Sequence, residues 1–242
     1  MKKFVSTGGT YEEGYRAAPM PYRKITKNED FERDGYLFLP KLIANPEQLK
    51  VPFPEDQDGN RLSGQLNFHK NRMDKYDYKP LETQVNGSLA RYNIPIYREL
   101  HFQVKKYLED NLGVDLHPTY FYDRFYSPGQ QLYRHSDRPA CEISVTLQIS
   151  SSHPDNVWPI WFNKADGTDA GIVMNDGDAA VYKGCEREHW RDPLQSGYNS
   201  AQKLWMKTRN IPDDTYHHQI FLHYVDANGP FCHHAKDKGG GT

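Results

Sequence analysis

The sequence predicts a mainly β protein with supporting α-helices, a jelly-roll (cupin-like) sandwich or barrel flanked by N-terminal helices. Cys141–Ile149 alternates apolar and polar residues strictly, the mark of a strand with two different faces. Several other short β-prone runs are separated by Pro, Gly and Asn-Asp turn signals, the spacing of a sandwich or barrel. The apolar fraction is only 37%, but 17 Tyr, 11 Phe and 4 Trp supply large side chains for a core.

In chain order, residues 1–27 read as irregular, with prolines and scattered charges. Asn28 can cap a short helix that stops at Gly35. Between Val51 and Asn93 the chain is polar, which predicts a solvated loop, with a lid over a site as the alternative. Pro95 suits the first turn of a helix running to Leu112, where Tyr97, Leu100, Val104 and Leu108 form one apolar stripe. Gly113 ends it, and such a helix braces one sheet. Strands are then expected at Pro118–Tyr126, Leu132–Arg134, Cys141–Ile149, Trp158–Phe162, Gly171–Met174, Ala179–Tyr182 and Gln219–Val225. Ser127-Pro128-Gly129 and Asn175–Asp178 are the turns among them. Trp161, with its broad apolar face, is expected in the core. The division implied is an arm and support region over 1–115, a β core over 116–228 and a small, polar tail over 229–242.

Composition limits the function. A chain of 242 residues fits one elaborated domain. The net charge of −2 gives no basic field for nucleic acid. No run approaches the ~20 apolar residues that cross a bilayer, and the first residues lack the apolar core of a signal peptide. Cys141, Cys185 and Cys232, odd in number and widely spaced, fit reduced thiols in a cytoplasmic protein. Oligomeric state leaves no trace.

The chemistry concentrates in His135-Ser136-Asp137 and the distant His189. Two imidazoles and one carboxylate can hold an iron on one face and leave the other open. On a strand, His135 and Asp137 would project to the same side. The chain has 11 histidines, so rival sets exist. His217 and His218 are adjacent and would face opposite ways, and Cys232-His233-His234 lies in the tail.

The ordered run Arg124-Phe125-Tyr126-Ser127-Pro128-Gly129, Leu132, His135-Ser136-Asp137, Gly177-Asp178 and His189 resembles the 2-oxoglutarate- and Fe(II)-dependent dioxygenases, nearest their prolyl-4-hydroxylase-like branch. The resemblance spans roughly residues 118–228. A fainter echo, Asp34–Leu39, is similar to the opening strand of many such enzymes. The resemblance implies a double-stranded β-helix with His135, Asp137 and His189 as ligands of Fe(II), and 2-oxoglutarate and dioxygen as cosubstrates. It implies oxidative decarboxylation to succinate and carbon dioxide, coupled to hydroxylation of a peptidyl, even prolyl, or small-molecule C–H. An aspartate at position 137 argues for hydroxylation over halogenation, since no coordination place is left for a halide.

The family also places a basic residue about ten positions past the distal histidine, to hold the far carboxylate of 2-oxoglutarate. This chain instead has a long insertion before Gln219. Arg191, two residues past His189 and on its face, is the first choice of anchor, and His217 the second. Tyr126 matches a tyrosine that touches the cosubstrate in relatives. Tyr120, Tyr122 and Arg124 share its face, unless Phe121 and Phe125 face the cavity instead. Thr146 or Gln148 adds a polar contact. A metalloenzyme that does without 2-oxoglutarate and a non-catalytic glycan- or partner-binding jelly roll are the competing readings.

Overall fold

The computed structural model describes residues 27–55, 62–70, 72–235 and 237. The irregular arm expected over 1–27 lies outside them except for Lys27, as does most of the end of the tail.

Asn28 accepts a hydrogen bond from Phe31 N and caps α1 (Glu29–Asp34); Gly35, at φ 77°, ends it in the left-handed conformation. β1 (Tyr36–Leu39) follows at once. The region read as a solvated loop is instead built into a sheet. It carries β2 (Gly64–Phe68), β3 (Tyr76–Lys79) and β4 (Leu89–Tyr92). Glycine is required at position 64, where φ is 107° and a Cβ would run into the Lys79 carbonyl and Pro80. One 3-10 turn at Pro95–Tyr97 then leads into α2 (Arg98–Leu112), closed by Gly113.

The β core continues with β5 (Leu116–Tyr126), β6 (Leu132–His135), β7 (Ile143–Ser151), β8 (Ile160–Asn163), β9 (Asp169–Ile172), β10 (Ala179–Lys183) and β11 (His189–Arg191). The insertion before the last strand contains α3 (Ser200–Lys207), started by a capping box between Asn199 and Gln202. β12 (His217–Asp226) completes the fold.

The strands form an eight-stranded sheet in the order β1-β10-β7-β12-β5-β4-β2-β3 and a four-stranded sheet in the order β6-β11-β8-β9. The two sheets make a double-stranded β-helix, the fold the resemblance implied. Alternation along each strand assigns its faces. Val145, Leu147, Ile220 and Leu222 point outward from the large sheet and pack with the α2 stripe of Leu100, Val104, Leu108 and Leu112. The helix therefore braces the large sheet, as its stripe predicts.

The opposite face, toward the small sheet, takes Tyr120, Tyr122 and Tyr126 with Phe221. Phe121 and Phe125 go outward, Phe121 into the α2 core and Phe125 against Phe53 and His218. Of the two faces left open for β5, the tyrosine face is the inner one. Trp161 corrects an expectation. On β8 it alternates with the buried Ile160 and Phe162, so it lies half-buried on the outside of the small sheet. There it stacks on Trp190 and covers Gly171.

The three cysteines are free. Among the described residues no helix is long and apolar enough to cross a membrane.

Candidate metal centre and inner cavity

β6 and β11 pair antiparallel with His135 directly opposite His189. That register brings together two histidines far apart in sequence, with ring centroids 4.4 Å apart. Asp137 lies just past the end of β6, not on it. Its backbone N–H donates to Gly184 O (2.9 Å), which turns the carboxylate back toward the rings. Its Oδ1 stands 3.6 Å from His135 Nε2 and 3.7 Å from His189 Nε2. These gaps are too long for hydrogen bonds and short enough for three atoms to share one ion.

The neighbouring groups fix these side chains. His135 Nδ1 donates to Tyr133 O (2.7 Å) and His189 Nδ1 to Arg187 O (3.0 Å). Both rings therefore carry their proton on Nδ1 and aim the Nε2 lone pair at the shared gap. Asp137 Oδ2 accepts from Ser144 Oγ (2.9 Å), whose oxygen also meets His223 Nδ1 at 2.9 Å. Gly184 makes room for the carboxylate, because a Cβ there would fall 2.5 Å from Asp137 Oδ2. Burial pushes the Asp137 carboxyl up, but His135, His189 and His223 outweigh it and hold the group down at about 2. Burial lowers His189 despite the same carboxylate. His135 is raised, burial being outweighed by Asp137 and the Tyr133 carbonyl. A charged carboxylate facing two imidazole lone pairs is a donor set for a divalent first-row metal.

Among the described residues a second group of possible ligands, Asp137, Cys141 and His223, lies behind the first. Burial, foremost, pushes the Cys141 thiol far up, and Tyr120 OH sits 3.1 Å from its sulfur. A thiol kept protonated is a poor ligand, so this group supports Asp137 from behind. The Cys232-His233-His234 run forms a 3-10 turn and does not join either group.

Between the sheets lies a second polar feature. Arg191 is fully buried, its Nη1 donating to Trp158 O (2.9 Å) and its guanidinium lying over the Trp158 ring at 4.6 Å. Its Nε and Nη2 have no partner. Burial pulls its pKa down to about 10, against the Tyr126 and Tyr182 hydroxyls. His217 packs at a tilt, 5.2 Å from the same tryptophan, and its Nε2 is likewise buried without a partner. Burial, then Arg191, lowers it to about 4. His218 points the other way and donates to Asp123 Oδ2 (2.8 Å). Tyr126 packs edge-on to Trp158 at 4.8 Å. Thr146 Oγ1, on the inner face of β7, is a further buried oxygen without a partner, whereas Gln148 is engaged by Gln219 Nε2 (2.9 Å). Buried donors are normally satisfied. A cluster with free N–H groups around one guanidinium suits a carboxylate arriving from outside.

Residues to which the sequence assigned no role in the site complete it. Ser144 and His223 sit on the alternating inner faces of predicted strands and could have been found from that period. Gln84, which reaches His135, gave no local signal.

No protein-family model and no curated protein matches the sequence. Solved structures do match. HygX from Streptomyces hygroscopicus, with nickel, 2-oxoglutarate and hygromycin B bound, superposes at a TM-score of 0.52 with 9% identity, over 82% of this chain and 86% of that one. The two proteins share a fold. A Pseudomonas putida prolyl-4-hydroxylase matches at 0.49 with 12% identity over 81% and 96% of the chains. AviO1 from Streptomyces viridochromogenes matches at 0.49 with 16% identity over 84% and 94%.

Proposed function

We propose that the protein is a 2-oxoglutarate- and Fe(II)-dependent dioxygenase that hydroxylates a C–H of a peptidyl or small-molecule substrate. The observation that carries this reading is the pairing of two sites along one short strand, β11. Two lone-pair nitrogens and an ionised carboxylate converge where the sheets meet, and a buried guanidinium with free donors lies on the strand that carries His189. HygX, which shares the fold, was solved with nickel and 2-oxoglutarate bound, which supports the same use here.

In this reading His135, Asp137 and His189 hold the iron. Arg191 takes the far carboxylate of 2-oxoglutarate, with His217, Tyr126 and Thr146 as further contacts. The iron, dioxygen and 2-oxoglutarate supply the oxidation, with release of succinate and carbon dioxide. The chain's own residues bind and orient. Ser144 keeps Asp137 Oδ2 engaged so that Oδ1 faces the gap, and the Tyr133 and Arg187 carbonyls stop either imidazole from turning. The tyrosine-lined inner face keeps bulk water away from the reacting C–H.

Adding Fe(II) and 2-oxoglutarate without oxygen is expected to give a weak visible charge-transfer band, and admitting oxygen to release succinate slowly even without substrate. Asp137→Ala abolishes both signals. A wild-type protein that binds iron but shows neither band nor succinate would refute the assignment.

A further inference from the structure

Gln84 stands in the segment between β3 and β4, and its side-chain amide joins two buried groups. Its Nε2 lies 3.1 Å from His135 Nε2. Because His135 Nδ1 already donates to Tyr133 O, the Nε2 accepts and Gln84 donates. Its Oε1 accepts from Arg124 Nη1 (2.8 Å). One amide thus spans the distance between Arg124 and the triad.

Arg124 is fully buried on the inner face of β5, with its guanidinium 5.2 Å from the Tyr122 ring and 5.9 Å from the Phe221 ring. Its Nε has no partner. The Glu82 carboxylate approaches Nη2 at 3.2 Å, but both its oxygens also serve the segment, accepting from Gln84 N (2.8 Å) and Gln65 Nε2 (3.0 Å). Arg124 Nη1 also reaches Tyr126 OH at 3.4 Å, so Gln84 supplies the shorter of its two side-chain hydrogen bonds.

An imidazole nitrogen has one lone pair, and a metal takes it at about 2.1 Å. The Gln84 amide now occupies that direction, so it and a metal exclude each other. When the amide leaves, Arg124 keeps Glu82 beside Nη2 and Tyr126 OH 3.4 Å from Nη1, but it loses its shortest hydrogen bond and, with Nε already unpartnered, has open N–H groups beside aromatic rings. Those open N–H groups of the guanidinium fork can take a further planar acceptor, such as a carboxylate. Resting on the reading of His135, Asp137 and His189 as a metal site, we propose that Arg124 recognises a carboxylate carried by the organic substrate, and that Gln84 keeps this position closed until a metal displaces it. Arg191 on β11 is a different guanidinium and keeps the cosubstrate role.

Calorimetric titration with Co(II) tests the closure. Gln84→Ala is expected to bind Co(II) about 2- to 10-fold more tightly than wild type, because no hydrogen bond has to be broken first. Unchanged or weaker binding in that variant overturns the closure. Phenylacetate, an aromatic monocarboxylate, then probes the opened position in protein saturated with Co(II) and 2-oxoglutarate. Wild type is expected to bind it, and the double variant Glu82→Gln/Arg124→Met to bind it at least about 10-fold more weakly. Should that variant fail to fold, Arg124→Lys, which keeps the charge beside Glu82 and loses the fork, is expected to show the loss. Equal binding in wild type and variant, or no binding in wild type, overturns the recognition site. Wild type that binds no Co(II) overturns the metal reading itself, and this proposal with it.

Discussion

Arg91, on the outer face of the large sheet, and Arg191, between the two sheets, are both buried and are treated in opposite ways. Outside, beneath the Val51-Pro52 segment, Arg91 donates to both oxygens of Asp123 (2.9 and 2.6 Å) and to the Pro52 and Val51 carbonyls. Asp123 also accepts from His218 and from Tyr97 OH (3.1 Å), so the network is closed. Inside, Arg191 has one carbonyl. The electrostatics follow. Burial lowers Arg91, but Asp123 outweighs it and the net shift is upward, whereas Arg191 is pulled down to about 10. A closed network supports a fold, while an open one costs stability that is recovered only when something binds.

Three experiments bear on this contrast. The largest effect is expected from Asp123→Ala, which strands a buried guanidinium, an imidazole and a phenol at once. Urea denaturation is expected to show a loss of about 3–5 kcal/mol. A loss under about 1 kcal/mol would mean that the outer network is not what holds this region.

Arg191→Met should do the reverse. Metal-free protein is expected to keep or gain stability in the same assay, because a partly unpaired charge is replaced by an apolar chain. Its 2-oxoglutarate requirement for succinate release is expected to rise at least about tenfold. An unchanged requirement would transfer the anchor to His217.

The third effect shows only in acid and concerns His101 on α2, buried and donating through Nε2 to His223 O (3.0 Å). Burial, above all, lowers it to about 3. Between that value and the usual 6.5 the unfolded chain binds the extra proton, so the stabilisation present above pH 6.5 is lost as pH falls toward 3. His101→Gln is expected to remove about 1.4 kcal/mol per pH unit from the slope of stability between pH 6 and 4. An identical slope in the variant would show that other groups carry the acid sensitivity.

What could be read in advance follows from how local the signal is. Residues 141–149 of the chain alternate strictly because β7 lies between unlike faces, and the α2 stripe repeats at helical spacing, so both were legible. The candidate ligands were legible because two of them are two residues apart. β2 to β4 were not. β2 pairs in parallel with β4, a contact no short window contains, and every residue of β3 is exposed, leaving no apolar period to read. Gln84 was hidden for the same reason, since its role depends on partners brought from β5 and β6. Trp161 was misplaced because its bulk says core, while its neighbours Ile160 and Phe162 had already claimed the inner side of β8.

The pairing of His135 with His189 has a mechanical side. β6 has four residues and β11 three, too few to hold one another firmly by backbone bonds alone. An ion gripped across that ladder would act as a rivet through the small sheet. Stripping it out should therefore loosen β6 and β11 first, and speed their amide exchange, while the long ladder of β5, β12 and β7 stays protected.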